Sequence, residues 1–86
     1  MKLKFRAEFF EEDDNIVGLC PELNVSSFGD DLQDAQSSLQ EAVVAFLETC
    51  EALGTFEDVL QEAGFHLEKG SWVTREPLAR STLSVS

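Results

Sequence analysis

The chain has 86 residues, 43% of them apolar, and a formal net charge of −11 at pH 7. That length makes one small domain, which hides about 60–65% of its unfolded surface and gains from association with another subunit. The apolar content argues against disorder, no stretch approaches the roughly 20 apolar residues of a membrane span, and the charge excludes a nucleic-acid-gripping body, since that grip comes from Lys and Arg.

The charge is also segregated. Sixteen of the 17 acidic residues lie between Ala7 and Glu68 (the other is Glu76), and that span holds no Lys or Arg. The basic residues are Lys2, Lys4 and Arg6 at one end and Lys69, Arg75 and Arg80 at the other. Such a body repels itself and repels polyanions, so a charged partner should be basic. The start, Met1-Lys2-Leu3-Lys4, lacks the apolar block and cleavage site of a secretory signal, and a cytoplasmic address is expected.

In chain order, residues 2–9 alternate: Leu3, Phe5, Ala7 and Phe9 against Lys2, Lys4, Arg6 and Glu8. Period two predicts a half-buried strand. The polar run Glu11-Glu12-Asp13-Asp14-Asn15 predicts a turn, and Ile16–Leu19 a second strand, antiparallel to the first because the connection is short. Pro21 lacks the N–H that a central ladder needs and marks a strand end, an edge or a bulge. Leu23–Phe28 predicts a third strand, stopped by Gly29-Asp30.

From Asp30 the period changes. Leu32, Ala35, Leu39, Ala42, Phe46, Cys50 and Leu53 recur at intervals of three and four, one face of a helix. Asp31 caps its start, where a carboxylate meets orphan N–H groups and the positive dipole end, and Gly54 stops it. Such a helix runs about 33 Å at 1.5 Å per residue. Ala42 to Leu47 is apolar all round, so the sheet covers one side and the second helix or another subunit must cover the rest. The extent of the belt favours a subunit, with the second helix sharing the work. Thr55 and Asp58 stand at capping-box spacing ahead of a short helix with Phe56, Val59, Leu60 and Ala63 as its stripe, ended by Gly64. Phe65–Val73 returns to alternation and predicts a fourth strand that can join the sheet. The Ser-, Thr- and Arg-containing remainder reads as a tail. The order β-β-β-α-α-β makes a two-layer α+β domain, a three-stranded antiparallel meander plus a fourth strand packed by one long and one short helix. The domain spans 1–74 and the tail 75–86.

Chemistry-bearing patterns are sparse. Cys20 and Cys50, thirty residues apart without a CxxC, read as small buried hydrophobes rather than a disulfide or part of a zinc site. The acidic runs at 11–14 and 30–34 match no metal loop such as DxDxDG, and read as a solvated turn and a helix start. His66 is the only histidine and falls on the polar side of a strand pattern. No GxSxG, GxGxxG or P-loop is present. Trp72 and the seven Phe fall mostly at core-facing positions, without the basic neighbours a base-stacking platform needs. No catalytic, cofactor-binding or metal-binding residue is expected, and no enzyme declares itself.

One segment is more specific. Gly18-Leu19-Cys20-Pro21-Glu22-Leu23 closes the hairpin region, Gly29-Asp30-Asp31-Leu32 and Asp34-Ala35 follow, and Gln40-Glu41-Ala42 lies within the helix. In order and spacing this resembles the HicB-type antitoxin family, over roughly residues 2–74. Asn24-Val25 stands where the family has Pro-Gly, and Asp31 and Asp34 replace its capping Thr and Glu while keeping the capping physics. The resemblance implies a trimmed RNase H-like fold without a working active site, assembly into dimers or larger, and neutralisation of a small basic HicA-type toxin that cleaves mRNA. Many members append a DNA-binding domain. The tail here is too short for one, so direct nucleic-acid binding is not expected.

The expected partner-binding residues are Glu11, Glu12, Asp13, Asp14, Glu22, Asp30, Asp31 and Asp34, and the expected oligomer interface is Val43, Val44, Phe46 and Leu47. Two other readings stand beside the antitoxin: a stand-alone structural or regulatory homo-oligomer, and a residual metal-dependent nuclease prompted by the carboxylates.

Overall fold

A computed structural model of the chain describes residues 3–74 and 77–85. Three strands, β1 (Glu8–Glu12), β2 (Asn15–Cys20) and β3 (Val25–Gly29), form an antiparallel sheet in the order β1-β2-β3. The helices α1 (Leu32–Leu53) and α2 (Phe56–Glu62) follow, then a two-stranded sheet of β4 (Phe65–Glu68) and β5 (Ser71–Thr74). The architecture is α+β, as the change of sequence period predicts, with an additional final strand.

The first hairpin departs from expectation in its register. Glu12 faces Asn15 and Glu8 faces Leu19, so only Asp13 and Asp14 form the turn. Asp13 takes a left-handed φ of 56°, which Asp tolerates because its short side chain can bond locally. Glu11 and Glu12, read from sequence as turn, are therefore strand. At the other end, β2 stops at Cys20 because the turn Pro21–Asn24 follows, so residues 3–7 have no ladder partner and are not strand. Their alternation still shows in packing: Phe5 and Phe9 lie against the core while Lys4 and Arg6 are exposed. Lys2, part of the same pattern, lies outside the described residues.

The long helix matches its sequence signals. Asp31 Oδ1 accepts the Asp34 N–H at 2.7 Å, and Asp34 Oδ2 accepts the Asp30 N–H at 2.9 Å, a reciprocal cap reaching one residue further out than the usual box. Gly54 closes the helix at φ 75°, its N–H bonded to Glu51 O and Cys50 O. The capping box at Thr55 does not form. The Thr55 hydroxyl turns back and donates to Cys50 O at 3.4 Å, so α2 starts without a side-chain cap.

α1 crosses the inner face of β2 and β3. Cys20, Leu23 and Leu39 form the buried centre, with Phe5, Phe9, Val25, Val43, Phe46, Leu47, Val59 and Ala63 packed around it. The contact is close because Gly29 has no side chain: a Cβ there would lie 2.4 Å from Ala35 N and 2.7 Å from Asp34 C. Both cysteines are free and buried, as expected.

The expected fourth strand is a hairpin of its own. Lys69 and Gly70 both take positive φ, 52° and 82°, as a type I′ turn requires, and β4 folds back on β5 instead of joining the first ladder. Phe65 is buried and its ring stands 5.1 Å from that of Phe5, at 60°. Residues 77–85 have no helix or strand and are exposed, while Arg75, Glu76 and Ser86 of the expected tail lie outside the described residues. Among the described residues no helix is long and apolar enough to cross a membrane.

Candidate functional site

Antiparallel register decides which carboxylates meet. Ile16 faces both Glu11 and Gly29, so the β1–β2 turn and the end of β3 lie at one end of the sheet. Glu11, Glu12, Asp13 and Asp14 therefore share that end with Asp30, Asp31 and Asp34, and all seven are exposed. Their positions follow from local rules: a two-residue turn needs short polar residues, and a helix start favours Asp. Glu22 lies apart, at the opposite end of the sheet. There it is half-buried, accepting the Arg6 N–H at 2.9 Å with the Arg6 Nε at 3.7 Å. Seven of the eight expected partner-binding residues thus form one acidic end, and Glu22 is a partner of Arg6.

Of the expected oligomer interface, Val43, Phe46 and Leu47 are half-buried around the chain's own core and Val44 is exposed. The α1 belt is covered on one side by the sheet, and α2 also packs on α1, with Val59 against the common core. What remains open is a groove of about 520 Å³ between the unpaired segment 3–7 and α1, with Val43, Val44 and Leu47 on its helical wall.

Nothing in the described residues gathers three or more His, Cys, Asp or Glu into a metal-holding group. His66 is exposed, as expected, with Nε2 3.3 Å from Glu68 Oε2. Burial pushes the Cys20 thiol above its ordinary value near 9.0, the largest of several effects on it, so the group stays protonated and a poor nucleophile.

The outer face of the sheet carries residues that the sequence pattern does not single out. Phe10, Val17 and Phe28 stand directly across from one another on β1, β2 and β3. They point away from α1, since the alternate residues Phe9, Gly18 and Cys20 face it. Phe10 is 53% and Phe28 67% exposed, the two exceptions to the expectation that the aromatics fall mostly at core-facing positions. Glu8 and Glu12 flank Phe10 two residues away on the same face. A recess of about 270 Å³ opens beside this row, lined by Glu12, Asp13, Asn15, Val17 and Phe28. Val25 and Phe28 stand three residues apart and so on opposite faces of β3, which puts one of them outward, but which one follows only from the register.

No protein-family model matches the chain, and neither a curated protein nor a solved structure matches it.

Proposed function

We propose that the chain is a non-enzymatic acidic protein-binding module of HicB-like antitoxin type, which sequesters a small basic HicA-type toxin in the cytoplasm. The observation that carries the reading is the gathering of seven carboxylates at one end of the sheet, within a span that has no Lys or Arg. A field of that sign speeds encounter with a cationic protein surface and rejects RNA, the toxin's own substrate in this reading. The order of the Cys-Pro-Glu-Leu, Gly-Asp-Asp-Leu and Asp-Ala motifs adds the family. The test is co-purification with a small basic protein encoded beside this gene. A complex is expected at low salt, weakened by added salt and by Asp13→Asn, Asp14→Asn and Asp30→Asn together. An isolated gene, or no complex at about 10 mM salt where the Debye length reaches about 30 Å, sinks the proposal.

A second reading, a homo-oligomer without a toxin, is favoured by the groove beside Val43, Val44 and Leu47. Sedimentation decides it: a strict monomer at high concentration removes this reading.

A further inference from the structure

The outer sheet face combines two properties that seldom coincide on a free surface. Phe10, Val17 and Phe28 make a continuous apolar row across three strands, and neither helix lies over it. The same face carries Glu8 and Glu12, with Asp13 at the adjoining turn, and from Glu8 to Gly29 there is no Lys or Arg. The nearest preceding cation, Arg6, is engaged with Glu22 at the other end.

We propose that this face docks a cationic, amphipathic segment of a partner protein, and that the recess lined by Glu12, Asp13, Asn15, Val17 and Phe28 seats one of its Arg or Lys side chains. The inference rests on the reading of the chain as a module for a basic protein, and it locates the contact. The chemistry selects this occupant over others. A guanidinium is attracted both to an aromatic face and to a carboxylate, and its apolar stem covers the Val17 surface. A purely apolar segment would bury Glu8 and Glu12 without counter-charges, at a desolvation cost. A second copy placed face to face would set Glu8, Glu12 and Asp13 against like charges. A polyanion meets only repulsion.

The probe is a synthetic helical peptide of Arg and Leu, titrated into isotope-labelled full chain and followed by amide chemical shifts. An Arg-only peptide of equal charge and a Glu–Leu peptide are the controls. Saturable shifts are expected along Phe10, Val17 and Phe28, with the Arg-only peptide weaker and the Glu–Leu peptide inert. Phe10→Ser with Phe28→Ser should weaken the Arg–Leu peptide at least tenfold. Both rings are more than half exposed, so an unchanged far-ultraviolet circular dichroism spectrum is expected to accompany the loss.

Shifts clustered on α1 or the β4–β5 hairpin, or affinity for the double variant within twofold of the parent, overturn the proposal. So does a parent dimer that the double variant dissociates, which would make a second copy the occupant. Failure of the toxin co-purification with peptide mapping intact removes the antitoxin reading alone. A toxin complex indifferent to the two Phe substitutions removes this inference alone.

Discussion

Gly29 ends β3 directly under the first turn of α1, and the atoms a methyl would strike there are backbone. Backbone cannot swing aside, so Gly29→Ala should cost about 3 kcal/mol, the upper part of the range for overpacking. In a domain of this size that lowers the thermal midpoint by more than about 10 °C. Gly18→Ala is milder. Its methyl would meet the Phe9 ring at 3.1 Å and Leu39 at 3.3 Å, both of them side chains able to shift, and about 1 kcal/mol is expected. A loss equal to that of Gly29→Ala in a urea titration would mean that the Phe9 ring is as fixed as backbone.

Cys20 gives a pH dependence whose sign can be worked out. Burial raises its folded value above that of the unfolded chain, so the protonated thiol is favoured by folding. Its contribution is fully present below about pH 9 and is lost as pH rises through the folded value. Urea midpoints should therefore fall between pH 8 and pH 10 by more in the parent than in Cys20→Ala. Equal falls would assign the effect to other groups. The native thiol should also react with a disulfide reagent only on opening of the fold.

Among the elements, α1 and α2 offer a matched pair. Both begin with a residue that caps helices well, but only Asp31 bonds to its helix; Thr55 bonds to the end of the preceding one. Asp31→Ala should cost about 1 kcal/mol and Thr55→Ala under about 0.5 kcal/mol in chemical denaturation. Equal losses would place a cap at Thr55 after all. The same pair shows what a sequence reveals. Helix α1 was legible from Asp31 to Gly54 because its period, cap and stop all agree. The Thr55-Asp58 spacing suggested a cap, but whether a hydroxyl turns forward or back depends on the chain path out of Gly54. The strands were legible as segments and not as partners. Residues 3–7 alternate like strand, yet Pro21 removes their mate, while Glu11 and Glu12 pair because a tight turn at Asp13-Asp14 brings Asn15 across. Lys69-Gly70 hid a second turn inside what read as one strand; Gly70 was its only local sign. The acidic residues stand out as a candidate site from the sequence alone. The row of Phe10, Val17 and Phe28 does not, because a single-residue slip in pairing would turn each of those side chains to the core.

At the scale of the molecule, two quantities compete: a small core and a large like charge. Among the described residues, buried apolar side chains number few, with Cys20, Leu23, Leu39, Leu60 and Phe65 among them. The least extent of the molecule is 20 Å, the thickness of one sheet with one helical layer. Against that core stands a net charge of −11. Screening it should stabilise the fold, because the Debye length shrinks from about 30 Å at 0.01 M salt to about 10 Å at 0.1 M. Raising sodium chloride across that range should lift the thermal midpoint by about 5 °C, equivalent to roughly 1 kcal/mol. A flat or falling response would show that the acidic field costs the folded state nothing.

No ladder bond ties the β4–β5 hairpin to the main sheet, and its hold on the rest runs through side chains such as Phe65 against Phe5. Detachment there sacrifices a handful of apolar contacts and leaves β1, β2, β3 and α1 paired as before. Amide protons of the hairpin should accordingly trade for solvent deuterium well ahead of those in β2, making residues 65–74 their own early-melting unit.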